Sequence, residues 1–425
     1  LHDRRIDSFQ NTLQPMPMID YNVITKNSPY RIRLREVPQA PGSNPSTMRV
    51  RFFTFLLTAI NATTTTIQLD FKESQPFKIG DVIQVDVEKM LITDISGESV
   101  IVIRGYDSTI ATSHTAESGA NPTLAYGHDL EEVSSSPQPG QYWPDYATTP
   151  QDIKDWNTGS VMFNASDALK FMEISYMGTG CLNSAERSGN DPLRNYGYDP
   201  ETDIIAVLSG TVNLPIYNEC QIFYVREGAT ANRAAFPGIA VRATGAAVVR
   251  GAMNADYIVG VGVNGYGGGG GGNGYGNSVT YSLLNGVRFV GRATPSLDQQ
   301  NLFLNDSCLP LFWGSGGTPG SGGNTNGAGG AGGGGVLISA PYCDCEGVFY
   351  ARGANGGGTS GQNGYGGGGG AGGVIIIVGE TVVNTAQFQV GGGNGGQGST
   401  SIGSPPSGTA GPAGWVRVIE YGGRN

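Results

Sequence analysis

Lysine is scarce in this 425-residue chain and confined to its first part: Lys26, Lys72, Lys78, Lys89, Lys154 and Lys170 are the only six. A phosphate-cradling P-loop needs a lysine beside its glycines, so the glycine runs further along are not of that kind. Charge of either sign is thin. Charged residues make up 14% of the chain, and the last 175 residues hold five Arg against seven Asp and Glu. A formal net charge of −10 offers no basic face to nucleic acid. Long apolar runs are also missing. Stretches such as Val50–Ile60 and Val374–Val378 fall well short of the ~20 residues that span a bilayer. No secretory leader is read at the N-terminus, which opens on Leu1 and leaves room for residues upstream. A soluble protein with a structural or binding role is expected, and not an enzyme.

The residues of common catalytic and metal chemistry are few. The histidines are His2, His114 and His128, and none neighbours a nucleophile motif such as G-x-S-x-G. The five cysteines, Cys181, Cys220, Cys308, Cys343 and Cys345, are odd in number and irregular in spacing, a poor disulfide framework. Cys343-Asp344-Cys345 is the one local pair with metal-ligand character. It lacks a second Cys or His pair, so small packed thiols are expected and no metal or other cofactor. A glycosidase would need two facing carboxylates. After residue 250 the acids are Asp256, Asp298, Asp306, Asp344, Glu346, Glu380 and Glu420, most of them beside turn signals.

What is abundant is glycine, 70 residues in all, 16 before residue 251 and 54 after it. The usual share is ~7%. The glycines come in runs and not as a collagen triplet. Around them the chain divides into five segments. Residues 1–57 carry prolines at 15, 17, 29, 38, 41 and 45 and read as an extended arm, with an alternating strand at 30–37. Such an arm grips another subunit or is a loose terminus. Residues 58–120 read as a small β-barrel or sandwich, with strands at 66–69, 82–85, 90–95 and 100–103 between Gly/Asp/Ser turns. Residues 121–200 are a turn-rich connecting region in which Trp143 and Trp156 are either interface anchors or a small local core. Residues 201–262 are short strands (203–208, 221–225, 238–245, 247–251) with the grammar of a solenoid.

Residues 263–425 form the glycine-rich distal segment. Glycine tracts precede strands beginning at Val336, Val374 and Trp415, 38 and 41 residues apart. A G-x-N-G tetrad recurs at 262–265, 353–356 and 392–395. Ordering a tract without side chains requires its amides to find partners in neighbouring chain. Polyglycine-II-like rods supported by the apolar strands satisfy that need, whereas a flexible linker would leave those strands exposed. The expected fold class is therefore all-β.

The string Phe77-Lys78-Ile79-Gly80-Asp81-Val82-Ile83 through Arg104-Gly105-Tyr106-Asp107-Ser108-Thr109 to His114 resembles a small β module recurrent in phage tail and fibre proteins. His114 closes that string and reads as a turn or core residue. The succession from Leu208-Ser209-Gly210-Thr211 through the glycine tracts to Gly411-Pro412-Ala413-Gly414-Trp415 resembles glycine-rich phage fibre and bacterial surface proteins, over roughly 201–425. It is also similar in general architecture to the glycine-rich tip adhesins of T-even-like phages, although the motif order differs. The resemblance implies a virion fibre or adhesin of a tailed phage, homotrimeric as fibres usually are, extracellular on the tail or collar. Its N-terminal arm would hold other virion proteins, and its glycine-rich end a host surface protein or glycan. A neck, head or decoration fibre without its own receptor is the alternative, and a polysaccharide depolymerase the third.

On a rigid glycine scaffold, receptor contacts would fall to aromatics set among the glycines, which offer area at little entropic cost. These are Tyr266, Tyr275, Phe312, Trp313, Tyr342 and Tyr365, with Asn264, Asn273, Asn355 and Asn363 as hydrogen-bonding partners. The same rings would otherwise cap the glycine layers.

Overall fold

The computed structural model describes residues 16–39, 48–144, 146, 159–182, 202–234, 238–256, 281–284, 287–290, 314, 316–317, 319–320, 327–359, 364–399 and 407–420. The chain is all-β. It forms two compact units, one from Leu1–Leu208, Glu219–Tyr224 and Ala243–Ala247, the other from Ser209–Asn218, Val225–Arg242 and Val248–Asn425. A division near residue 200 thus follows neither unit, because 219–224 and 243–247 return to the first.

The first unit is built on an antiparallel sheet in the order Met16–Val23, Phe171–Leu182, Arg49–Phe55, Leu124–Asp129, Val82–Val85, Glu88–Ser96, Ser99–Ile103, Thr66–Gln68. A smaller sheet joins Glu131–Glu132, Gln141–Pro144, Ser160–Phe163 and Arg31–Arg33. Period-two alternation supplies one core from both sheets, including Ile32, Val50, Phe52, Ile83, Val161 and Ile174. The strands expected within 66–103 are present almost residue for residue, because each alternating run is bounded by a turn signal. Gly80 and Gly97 have φ of 93° and 60°, a conformation that L side chains rarely adopt.

The N-terminal arm is corrected by this sheet. Met16–Val23 pairs along its whole length with Phe171–Leu182, from Met16↔Gly178 to Val23↔Phe171. Ile24, Ile32, Leu34, Val50 and Leu56 are buried in the unit's own core. The described part of the arm closes its own chain's sheet and does not extend away from it; residues 1–15 lie outside the described set. Pro17 is tolerated because Met16–Val23 is an edge strand, where a missing N–H interrupts no ladder.

A buried charge cluster pins the small β module. Glu88 is fully buried, and Arg104 donates to both its oxygens, Nε to Oε1 at 2.7 Å and Nη2 to Oε2 at 2.8 Å. Gly105 N and Thr112 N add one bond each at 3.0 Å. His114 is buried, its ring nitrogens 2.7 Å from Asp86 Oδ2 and 2.9 Å from Glu88 Oε2. Burial alone would push the Glu88 carboxyl up. The Arg104 fork, the Thr112 N–H, His114 and the Gly105 N–H outweigh it and hold the group down at about 2.

The second unit is a stack of parallel strands. One ladder runs Gly238↔Gly335, Gly335↔Val374 and Val374↔Trp415, through the strands Gly335–Ser339, Val374–Gly379 and Trp415–Glu420. A second pairs Tyr342–Cys345 with Thr381–Asn384. A third joins Thr211–Leu214, Thr230–Arg233, Ala252–Asn254, Val348–Tyr350 and Gln387–Gln389. Successive coils visit these ladders in the same sequence order, which is the solenoid grammar expected from residue 201 onward. Both faces of a strand such as Val374–Gly379 are buried, which explains its unbroken Val/Ile run.

The interior of this stack holds Cys343 and Cys345, and Cys220 is equally buried in the first unit. All three are free thiols. Burial pushes the Cys343 thiol up to about 12 and raises the other two. The side chain of Cys181, and Cys308 altogether, lie outside the described residues. Since the thiolate is the reactive form, these three cysteines are expected to resist a thiol reagent such as iodoacetamide in the native protein and to label fully in denaturant. Peptide mapping by mass spectrometry checks this; rapid native labelling of Cys343 would show that the stack opens.

Candidate functional site: a bundle of glycine rods

From the third ladder toward the next strand of the first, the chain runs as paired glycine-rich rods at 351–359 with 364–373 and at 390–399 with 407–414, and Gly314, Gly317 and Gly320 pair in the same way with 327–334 ahead of Gly335–Ser339. Three such excursions give six rods. The first contains Gly314, Gly317 and Gly320; the others span 327–334, 351–359, 364–373, 390–399 and 407–414. Their hydrogen bonds recur at every third residue, the period of a polyglycine II helix. Gly314, Gly317 and Gly320 donate to Gly333, Gly330 and Gly327, an antiparallel pairing. Gly327, Gly330 and Gly333 donate to Tyr365, Gly368 and Ala371, a parallel one. The same alternation continues outward: Gly370 N donates to Ala354 O at 2.9 Å, Gly393 N to Gly370 O at 2.8 Å, Gly369 N to Thr409 O at 2.9 Å and Gly411 N to Gly393 O at 2.8 Å.

The fourth rod is the centre of the array. A Cβ on Gly367, Gly370 or Gly373 would overlap a carbonyl oxygen of the second rod, and one on Gly366, Gly369 or Gly372 a carbonyl of the fifth. The first, third and sixth rods each turn glycines toward it as well, at Gly317, Gly353 and Gly411. Residues 366–373 are buried throughout. That stretch has seven glycines in eight residues, because nearly every side of it meets another backbone. The sixth rod bonds to the fourth and fifth, and there glycine falls at every third position, 408, 411 and 414. The density of glycine along a rod therefore follows the number of its packed sides. Among the described residues no rod glycine has φ between +20° and +160°, so close approach, and not backbone conformation, excludes a side chain.

Because the three returning rods run parallel, all three excursions end on the same side of the bundle. That end is marked by Gly320 N donating to Gly327 O at 3.0 Å, Thr359 N to Gln397 O at 3.0 Å, and the reciprocal pair between Gly364 and Ser399 at 2.7 and 2.9 Å. Gln397 and Ser407 are exposed there, and Thr359, Tyr365 and Ser399 are half-buried. From Gly353 to Gly414 the sequence contains a single charged residue, Glu380, so the bundle relies on backbone hydrogen bonds and contact and not on ion pairs.

Of the aromatics expected to touch a receptor, Tyr365 is at this end. Tyr342 is not. It lies in the solenoid, 5% exposed, with its hydroxyl donating to Asp344 Oδ2 at 3.3 Å, a packing residue of the stack. Tyr266, Tyr275, Phe312 and Trp313 lie outside the described residues, as do Asn264, Asn273 and Asn363. Asn355 is exposed on the third rod, where its Oδ1 accepts from Asn394 N at 2.8 Å and so links the two described G-x-N-G tetrads. Trp143 is 36% exposed on Gln141–Pro144, and Trp156 lies outside the described set.

Of the acids weighed for hydrolysis, Asp256, Asp344 and Glu346 are engaged in ion pairs, whereas Glu380 is buried and Glu420 is exposed. Asp344, fully buried, meets Arg250 Nη2 at 2.8 Å, and Glu346 meets Arg250 Nε at 3.7 Å. Asp256 accepts from Arg352 Nε at 2.8 Å. Asp298 and Asp306 lie outside the described residues. No group of three or more His, Cys, Asp or Glu side chains fit to hold a metal ion occurs among the described residues, and no helix there is long and apolar enough to cross a membrane.

The period of three was the signal missed in the sequence. It stands clear in the sixth rod, Gly408-Thr409-Ala410-Gly411-Pro412-Ala413-Gly414, and is masked in the fourth by glycines on the remaining faces. No protein-family model, curated protein or solved structure matches the chain.

Proposed function

We infer that this protein is a fibre or adhesin of a tailed-phage virion whose rod bundle presents its free end to the host surface. The observation that carries the reading is the common direction of the three rod excursions. A scaffold of glycine rods is stiff and chemically bland along its length, and its three excursions run toward one end, where Thr359, Tyr365, Gln397, Ser399 and Ser407 bring side chains to the bundle. Binding residues concentrate on loops held by a rigid support. The resemblance of the sequence to glycine-rich fibre proteins supports the same reading. Attachment to the virion would then fall to the first unit, and a homotrimer remains the expected assembly.

Adsorption competition tests this. The full chain, added to host cells before intact virions, is expected to block adsorption, counted as free virus. Tyr365→Ala should raise the blocking concentration about ten-fold, the loss of one well-placed aromatic contact. A folded protein that leaves adsorption unchanged would favour the fibre without a receptor of its own.

A further inference from the structure

The second unit carries another regular surface, the outer face of its five-stranded parallel sheet. Alternation along each strand turns Ala231, Met253 and Phe349 inward, fully buried. Register then aligns Asn213, Asn232, Asn254, Tyr350 and Gln389 in one outward row across all five strands. A parallel row begins with Thr211 and Thr230. Every position in the first row is exposed or half-buried, and neither row contains a charged residue.

Much of the hydrogen-bonding capacity of this row is unspent. Asn232 Nδ2 donates to Asn213 Oδ1 at 2.7 Å and lies 3.4 Å from Arg233 O, which leaves Asn213 Nδ2 and Asn232 Oδ1 without partners among the described residues. Asn254 Oδ1 accepts from Asp256 N at 3.1 Å, and its Nδ2 is likewise unpaired. The hydroxyls of Thr211, Thr230 and Tyr350 also lack partners among the described residues. Arg352 closes one end of the row, its guanidinium 4.8 Å from the Tyr350 ring and Nη1 3.4 Å from Gln389 Oε1. Its charge is matched by Asp256.

We propose that this face binds a neutral linear polysaccharide laid across the strands, one sugar per strand. Adjacent strands repeat every 4.7–4.9 Å, close to the advance of one pyranose in an extended chain. The row therefore offers an amide or hydroxyl to each successive sugar. Planar amides beside a tyrosine suit sugar hydroxyls, which need paired donors and acceptors and a modest apolar surface. An acidic glycan would call for unpaired cations, and here the adjoining guanidinium is already neutralised. A protein partner would call for a cluster of large apolar anchors, and the row has one aromatic residue. The proposal does not depend on the role assigned to the rod end.

The test is affinity electrophoresis of the full chain through native gels containing dextran, mixed-linkage β-glucan or galactomannan, with alginate as the acidic comparison. Retardation in at least one neutral gel and none in alginate is expected. Asn232→Ala combined with Tyr350→Ala should weaken retardation about ten-fold. Thr211→Ala with Asn213→Ala, at exposed positions, provides a second variant whose folding is not at stake and should weaken it in the same direction. Tyr365→Ala should leave it unchanged. Absence of retardation in every neutral gel, retardation by alginate alone, or undiminished retardation of both folded variants would overturn the proposal.

Discussion

Gly370→Ala is expected to break up the rod bundle, whereas Gly391→Ala should leave it intact. The two differ by the same methyl group in two rods of the same array. At Gly370 the added Cβ would overlap Ala331 O, with Gly332 N 2.9 Å away, and both belong to backbone that is itself hydrogen-bonded. A flexible side chain could swing aside; a rod held every third residue cannot. Overpacking in a close-packed interior typically costs about 1–3 kcal/mol, and with no soft neighbour to yield this site belongs at or beyond the upper end. At Gly391 an added Cβ meets nothing within 4 Å, and the residue is exposed. There the smaller conformational freedom of alanine in the unfolded chain makes the change neutral or stabilising by about 0.5–1 kcal/mol. Denaturant unfolding and limited proteolysis of the two variants check this. Equal tolerance at both sites would mean that the rods shift relative to one another far more easily than their hydrogen bonds suggest.

The second large effect is expected in the first unit. Arg104→Ala should destabilise it by about 3–5 kcal/mol, the usual consequence of removing one partner of a buried ion pair. Arg104 also donates to the carbonyls of Asn61, Thr64 and Thr112, at 2.7, 2.7 and 2.6 Å, so its loss unties three further loop connections. The pH dependence follows from Glu88. Its carboxyl lies near 2 when folded, against an ordinary 4.5. A depressed carboxylate contributes stability that is fully present above about pH 4.5 and is lost as pH falls toward 2. The loss across that window is about 3 kcal/mol at ~1.4 kcal/mol per pH unit. Glu88→Gln should be less stable at neutral pH and should flatten that acid limb. Urea unfolding between pH 2 and 7 measures both; an acid limb equally steep in Glu88→Gln would assign it to other carboxylates.

The strands were the most legible part of the chain. Val374-Ile375-Ile376-Ile377-Val378 and Trp415-Val416-Arg417-Val418-Ile419 declare themselves by β-branched content and the glycine before them, and both are strands. The prolines of residues 1–57 point to an extended arm, and only the pairing partner at 171–182, more than a hundred residues away, reveals that Met16–Val23 is an edge strand of the chain's own sheet. Tyr342 illustrates a different limit. Neighbouring glycines suggested an exposed ring, but the ladder to Thr381–Asn384 buries it, and that pairing is not a local property. The amide row was hidden in plain text: Thr211-Val212-Asn213, Thr230-Ala231-Asn232 and Ala252-Met253-Asn254 share a pattern. The stretch that follows Asn254 then carries the next coil far along the chain, so the spacing gives no hint that Tyr350 and Gln389 continue the row.

The second and third rod excursions begin and end on a fixed ladder, and their out and return arms are held together at intervals of three residues. Their length is therefore quantised. One residue added to one arm would rotate every later glycine off its contact face and set side chains against carbonyls. Three residues added to each arm restore the phase and extend the tip by one helical turn, about 9 Å at 3.1 Å per residue. The solenoid strands at the base would keep their register throughout. A lineage of such proteins would thus vary its reach in whole turns while the sequence between the arms drifted freely.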